Sequence, residues 1–308
     1  MGNVLTAIRT TTRRNAVLAL MRVGFRLESI LAPRAAIRRA ARIFCTPFAT
    51  SRERAMRVPD HGAREGVILV DSVPIETYVW GDPSSQPYVL FAHGWSSHGT
   101  RILTWVGHLR RAGYAVVAFD QAGHGKSGGK TATLPGFTDL LMEIGGLYGP
   151  AAAVIGHSLG GAAAAAALAR GLAAERAILI APSADPVAAA FRFAQLVGLP
   201  GRLCRRMIEG FERRIGMGFA EFQAHRNAPR IARPALIVHD LDDREVPWSE
   251  GERYARFWSD SRLLSTRGLG HNRIADDAGV IAEAMRFLRG EPVGERVVSS
   301  PNLPFGFA

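Results

Sequence analysis

Cysteine is nearly absent from this chain. Cys45 and Cys204 are the only two in 308 residues. They stand far apart, outside any CxxC or Cys/His spacing, so neither a disulfide framework nor a thiolate metal site is encoded. Two free thiols suit a reducing compartment, and a cytoplasmic location is the expectation. Lysine is almost missing too: Lys126 and Lys130 stand against 36 Arg. With the long alanine runs, that imbalance reflects a GC-rich coding bias before it reflects function. No apolar run reaches about 18 residues, so no transmembrane helix is expected. The 33 glycines follow no three-residue period, and hydrophobic and charged shares of 47% and 21% are those of a folded chain. Collagen-like and disordered classes are thereby excluded. No internal repeat or low-complexity tract is apparent.

Acidic residues are scarce at one end only. Residues 1–59 hold 12 Arg against Glu28 and Glu53, whereas the remainder holds 26 basic and 25 acidic side chains. A nucleic-acid-binding domain should carry its basic stripe on the folded body, and this body is nearly neutral, so no nucleic-acid partner is expected. Val17, Leu20, Val23, Leu27, Ile30 and Leu31 recur at helical spacing, with Arg13, Arg14, Arg22 and Arg26 largely on other faces. A second short helix follows over Arg34–Phe44. Such a basic amphipathic segment either packs on the domain with its arginines in solvent, or lies on an anionic membrane. Met1-Gly2-Asn3-Val4-Leu5-Thr6 fits a myristoylation pattern, and Thr12-Arg13-Arg14 resembles a twin-arginine signal broken by Arg22. An Arg-rich, acid-poor transit peptide would read similarly. Each pattern is short enough to recur by chance.

From Gly66 onward strand and helix alternate. Val67–Val70 and Ile75–Trp80 flank Asp71-Ser72 as a hairpin. Continuous apolar runs at Tyr88–Ala92, Ala115–Phe119, Ala151–Ile155, Ala177–Ile180 and Ala235–Val238 read as buried parallel strands, with Arg262–Ser265 a later one. Helices are expected at Ile102–Arg111, Leu140–Leu147, Leu159–Leu172, Glu250–Trp258 and Val280–Leu288. The fold expected is α/β: a mostly parallel central sheet with helices on both faces. Residues 184–233 interrupt the rhythm with three helical stretches, Ala188–Val197, Leu203–Ile215 and Phe219–Asn227. They are too long for a loop and are expected to form a small helical lid. The domains expected are a basic helical segment at 1–60, the α/β body at 61–290 carrying the lid, and a Pro- and Gly-rich tail at 291–308.

Gly156-His157-Ser158-Leu159-Gly160-Gly161 stands directly between a strand and a helix, the setting of a nucleophile elbow. Gly156 and Gly160 remove Cβ atoms that would strike neighbouring backbone. A plain N-cap serine with packing glycines is the bland alternative. A serine hydroxyl needs a base, and that base an orienting acid. Beyond the elbow only His225, His239 and His271 remain. His271, in the Gly-framed loop Gly268–Asn272 after the last strand, is the expected base. The acid should follow the strand ending at His239, where Asp240, Asp242 and Asp243 are candidates. Asp243 is preferred, with Pro247 four residues on to start the next helix. Two N–H groups should face the developing oxyanion, those of Leu159 and of Trp95 in the His93-Gly94-Trp95-Ser96 loop; Trp95 as a pocket wall alone is the bland alternative.

Taken in order, His93-Gly94-Trp95, Asp120–Ser127, the elbow, Asp243–Pro247 and Gly270-His271 resemble the α/β-hydrolase superfamily over about residues 64–290. The family often has Gly where Asp240 stands and Arg where Gln121 stands. Neither departure touches the triad. The resemblance implies a serine hydrolase acting on a carboxylic ester or thioester, with Ser158, Asp243 and His271 catalytic and Trp95 and Leu159 as the oxyanion hole. No metal or organic cofactor is implied. Asp120 and His124 match a structural turn of the family. Acyltransferase, peptidase and C–C bond hydrolase activities share the fold, as do non-catalytic ligand-binding proteins. Phe191, Phe193, Leu196, Leu199, Met207, Ile208, Phe211 and Phe219 give the lid an apolar face, so a small-molecule substrate with an apolar acyl or aromatic group is the expectation; packing of the lid onto the core is the commoner use of such residues and the bland alternative. Peripheral membrane contact through residues 1–59 is the remaining partner reading, and the oligomeric state is not legible.

Overall fold

The computed structural model describes residues 2–59 and 61–297. Residues 1, 60 and 298–308 and the side chains of residues 2–15 lie outside the described residues, and with them the two short targeting patterns. The helices are α1 (Gly2–Leu31), α2 (Pro33–Phe44), α3 (Ala49–Ala55), α4 (Leu103–Arg111), α5 (Leu134–Gly146), α6 (Leu159–Ala169), α7 (Pro186–Val197), α8 (Gly201–Ile215), α9 (Ala224–Asn227), α10 (Trp248–Phe257), α11 (Gly270–Arg273) and α12 (Ala278–Leu288). The strands are β1 (Arg64–Val70), β2 (Val73–Trp80), β3 (Tyr88–Ala92), β4 (Ala115–Phe119), β5 (Ala153–His157), β6 (Ala177–Ile180), β7 (Ala235–Asp240) and β8 (Ser261–Thr266).

The chain divides into two compact units, 1–45 with 186–221, and 46–185 with 222–308. They cut across the expected boundaries at 60, 184 and 233. The reason is a shared core: Phe25, Ala36 and Ala40 of α1 and α2 are buried with Ala190, Ala194, Leu203, Met207 and Phe211 of α7 and α8. Seven of the eight apolar residues expected to line a lid pack into or against this core, and Leu196 is exposed. Within this unit α1 packs through Met21, Phe25 and Ser29, and its apolar stripe faces out. Arg39 lies over the Phe25 ring, 4.8 Å from its centroid, and donates to Glu28 at 3.1 Å.

The larger unit is built on one eight-stranded sheet of order β1-β2-β4-β3-β5-β6-β7-β8. β1 and β2 form an antiparallel hairpin whose turn residues, Asp71 and Ser72, have φ of 48° and 64°. β2 meets β4 antiparallel, and every pairing from β4 to β8 is parallel. Alternation along β3 shows why its run is wholly apolar: Tyr88, Leu90 and Ala92 face α5 and α6, while Val89 and Phe91 face α4 and α12. α6 is the most enclosed helix of this unit, with every residue from Gly160 to Leu168 buried. α5 begins six residues before the expected Leu140, because the Thr133 hydroxyl accepts from the Gly136 N–H at 3.2 Å and Pro135 pre-sets the first turn. β3 pairs with β4 on one side and β5 on the other. The chain therefore reverses its winding there, and the carboxyl ends of β3 and β5 flank a crevice.

Among the described residues, no helix is long and apolar enough to cross a membrane.

Candidate active site

Ser158 lies at that crevice, between β5 and α6. Its backbone has φ 56° and ψ −119°, a strained conformation for a residue with a side chain. Such a geometry costs on the order of 1–3 kcal/mol and persists only where surrounding packing enforces it. The enforcing contacts are visible. Ser158 N–H donates to the Ile180 carbonyl of β6 at 2.9 Å, and its own carbonyl accepts from Gly161 at 3.0 Å. A Cβ at Gly156 would lie 2.6 Å from the Gly160 carbonyl oxygen, and one at Gly160 would lie 2.1 Å from that of Ala92. Both positions exclude any side chain, so strand and helix meet closely enough to force the sharp turn.

The Ser158 hydroxyl is 2.8 Å from His271 Nε2. His271 Nδ1 lies 2.7 Å from Asp243 Oδ2. With Nδ1–H donating to the carboxylate, Nε2 is left to accept from the serine. His271 is in the short helix α11, where a loop was expected, and is 8% exposed; the Asp243 carboxyl is fully enclosed. Asp243 Oδ1 accepts from the Glu245 and Val246 N–H groups at 2.8 and 3.0 Å. Burial pushes this carboxyl up, but hydrogen bonds from His239, His271 and the backbone outweigh it and hold it well below the usual carboxylate range.

The three aspartates after β7 divide their work. Asp240 accepts from Asp242 N–H, from the Thr266 hydroxyl at 2.7 Å and from Leu269 N–H at 3.0 Å. Asp242 accepts from Gly268 N–H at 2.9 Å. Both tie down the loop that delivers His271, and Asp243 alone reaches its ring. Of the other two histidines, His225 packs on the Phe257 ring at 5.9 Å. His239 is buried; its Nε2 is 3.0 Å from the Val246 carbonyl and 3.4 Å from Asp243 Oδ2. His239 therefore braces the acid from below, a role sequence reasoning missed. Its one signal was position, at a strand end four residues before Asp243. His157 was missed as well. Its Nε2–H donates to the His271 carbonyl at 2.9 Å, fixing the base through its backbone. Burial is the main cause that lowers the His157 ring to about 3, so it stays neutral and a donor at neutral pH.

The loop after β3 closes the other side. A Cβ at Gly94 would lie 3.0 Å from that of Ser158, so this loop passes directly beside the serine and Trp95 follows it. Buried His93 sets the loop: Nδ1–H donates to the Gly94 carbonyl at 2.7 Å, and Nε2 accepts from Gln121 N–H at 2.9 Å. The half-buried Trp95 ring stacks with Phe137 and meets His124 edge-on at 5.3 Å. Leu159, the first residue of α6, presents the N-terminus of that helix next to Ser158. Asp120 lies apart from the triad and works as a turn anchor, accepting from Gly99 N–H, Lys126 N–H and the Tyr78 hydroxyl at 2.6, 2.7 and 2.9 Å.

Residues 83–214 match the model of a family described as serine aminopeptidase, S33. A monoacylglycerol lipase of Mycolicibacterium smegmatis (strain ATCC 700084 / mc(2)155) is 35% identical over 102 residues, which cover 30% of this chain. The match spans 36% of that relative's length, little more than a third. Among solved structures, alpha/beta hydrolase domain-containing protein 10 from mouse superposes with a TM-score of 0.58 at 20% identity, covering 74% of this chain and 98% of its own. A bacterial membrane phospholipase A, described as a virulence factor, gives 0.58 at 16% identity, covering 94% of this chain and 99% of its own.

Proposed function

We propose that this chain is a member of the α/β-hydrolase superfamily, which its family-model match and fold support, and a serine hydrolase that cleaves carboxylic esters or thioesters through an acyl-enzyme. The observation that carries the reading is the hydrogen-bonded line Ser158–His271–Asp243 at the sheet's switch point. Ser158 Oγ attacks the substrate carbonyl carbon as its proton passes to His271 Nε2. The enclosed Asp243 carboxylate holds the ring's orientation and stabilises the imidazolium. The amides of Leu159 and Trp95 bind the oxyanion, each worth on the order of 3–4 kcal/mol in enzymes of this kind. His271 returns the proton to the departing alcohol or thiol. A water then attacks the acyl carbon, with His271 as base again, and releases the acid and free Ser158.

The substrate proposed is a small molecule with an apolar acyl or aromatic group. The names of the monoacylglycerol lipase and the phospholipase support a lipid ester. Free, buried Cys45 and Cys204 fit the cytoplasmic location proposed with it. The description of the matching family as an aminopeptidase favours a second reading, cleavage of an N-terminal peptide bond by the same relay.

A fluorophosphonate probe should label wild type and fail on Ser158→Ala, and p-nitrophenyl butyrate should be turned over by wild type alone. A labelled but esterase-silent enzyme that cleaves aminoacyl p-nitroanilides would favour the peptidase. Absence of Ser158 labelling would remove the serine-hydrolase reading altogether.

A further inference from the structure

The chain's net charge of +11 is confined to one unit. Residues 1–45 and 186–221 hold 15 Arg against four Glu, while the rest of the chain is balanced at 23 basic and 23 acidic side chains. Among the described residues, the same unit carries the longest row of exposed aliphatic side chains. Val17, Leu20, Val23, Leu27, Ile30 and Leu31 are between 52 and 82% exposed, all on one side of α1. The helix does not need that side for its own folding, because Met21, Phe25 and Ser29 supply its packed face. Six aliphatic groups in a row on a single helix exceed the scattered singletons that any soluble surface shows.

Arginines border the row. Arg26 is exposed one turn from both Val23 and Ile30, and exposed Arg22 stands one turn before it. Arg34, Arg38 and Arg42 are exposed at four-residue intervals along α2, the helix that follows. α8 of the same unit adds Arg202, Arg205, Arg206, Arg213 and Arg214, all exposed. An aliphatic stripe edged by guanidinium groups complements a surface with anionic headgroups above hydrocarbon. A second copy of this chain fits poorly, since it would bring a second highly positive unit against the first. A nucleic acid would satisfy the arginines and leave the aliphatic row in water. We infer that α1 is an interfacial helix: it lies in the plane of an anionic lipid surface, its aliphatic row inserted about 5–10 Å and its arginine stems reaching back to the phosphates. A helix of this length would lie along roughly 45 Å of that surface.

Vesicle cosedimentation of the full chain tests this directly. Binding should be strong on phosphatidylcholine containing one-third phosphatidylglycerol and weak on phosphatidylcholine alone. It should fall steeply when salt rises from about 0.1 to 1 M, as the screening length shortens from about 10 to 3 Å. Leu20→Ser/Leu27→Ser/Ile30→Ser should lower the partition coefficient roughly tenfold or more, and Arg26→Gln by about fivefold. Both variants should keep the wild-type circular dichroism spectrum. Should the triple variant fail to fold, the wild-type comparison of the two vesicle types and the salt dependence remain decisive. Equal binding to both vesicle types would overturn the inference. So would a dimer that the triple substitution dissociates, or capture of a mixed-sequence DNA duplex, with no vesicle binding in either case.

Discussion

Mild acid should unfold this protein, and the size of the effect follows from four histidines around the site. His93, His98, His124 and His157 are held neutral, chiefly by burial: His98 and His124 are lowered to about 4, His157 to about 3, and His93 well below its ordinary value. In the unfolded chain each titrates near ~6.5. Between these limits the unfolded state binds protons that the folded state refuses, so stability falls as pH falls. Each such histidine loses about 1.4 kcal/mol per pH unit below ~6.5. At pH ~5 that is roughly 2 kcal/mol apiece, or about 8 for the four. Asp120 acts in the opposite direction, because burial raises its carboxyl and the folded state gains a proton early. A net loss of about 6–8 kcal/mol is comparable with the whole stability of a typical domain. Urea unfolding followed by circular dichroism at pH ~7.5, ~6 and ~5 should show the midpoint collapsing over this range at constant slope. His124→Gln should make the pH dependence shallower by about a quarter. A loss below about 2 kcal/mol between pH ~7.5 and ~5 would refute the reasoning.

Three further outcomes are expected from substitution. Asp243→Asn should lower turnover of an ester by roughly 10³–10⁴-fold with little loss of fold; Asp242→Asn, whose amide oxygen can still accept from Gly268 N–H, should stay within a few-fold of wild type, and steady-state kinetics on both separates the two acids. Gly160→Ala should destabilise by several kcal/mol, because its methyl would lie 2.1 Å from one backbone oxygen and 2.5 Å from another, and a fall in melting temperature measures it. His239→Phe removes the N–H shared by Val246 and Asp243, so the Asp243 carboxyl should titrate higher and the acid limb of kcat/KM should move to higher pH. An unchanged acid limb would reduce His239 to a packing role.

The strands β3, β4 and β6 were legible to the residue, because each is a continuous apolar run set off by a polar residue on at least one side, His93, Asp120 and Arg176 respectively. The site residues were legible in kind, because chemistry demands a base and an acid in chain order after an elbow. Two kinds of feature escaped. His157 and His239 act through contacts with the His271 carbonyl and with Asp243 and Val246, and no periodicity encodes a buried ring's partner. The fate of α1's apolar row was hidden as well. Pattern shows that a helix has an apolar stripe, but which face packs depends on α7 and α8, more than 150 residues further along the chain. The apolar residues of 186–221 read either as a pocket wall or as a packed face; they do pack, and what pattern could not give is the partner, since they build a core with α1 and α2.

The helix behind Ser158 constrains how this gene can drift. Ala162 to Ala167 are six consecutive alanines, none of them exposed. A single base change in an alanine codon reaches only Ser, Thr, Gly, Val, Pro, Asp or Glu. In a wholly enclosed helix Pro breaks the hydrogen-bond ladder, Asp and Glu bring a charge with no partner, and Gly costs about 1 kcal/mol. Thr and Val are larger and branched, and every one of these positions is buried. Only Ser is nearly silent. The run is thus close to a mutational cul-de-sac: Ile and Met lie two base changes away, behind Thr or Val, and Leu is reached without a poorly fitting intermediate only by way of Ser. Deep mutational scanning restricted to single-base variants should find this segment the least tolerant stretch outside the triad, although it holds no polar side chain.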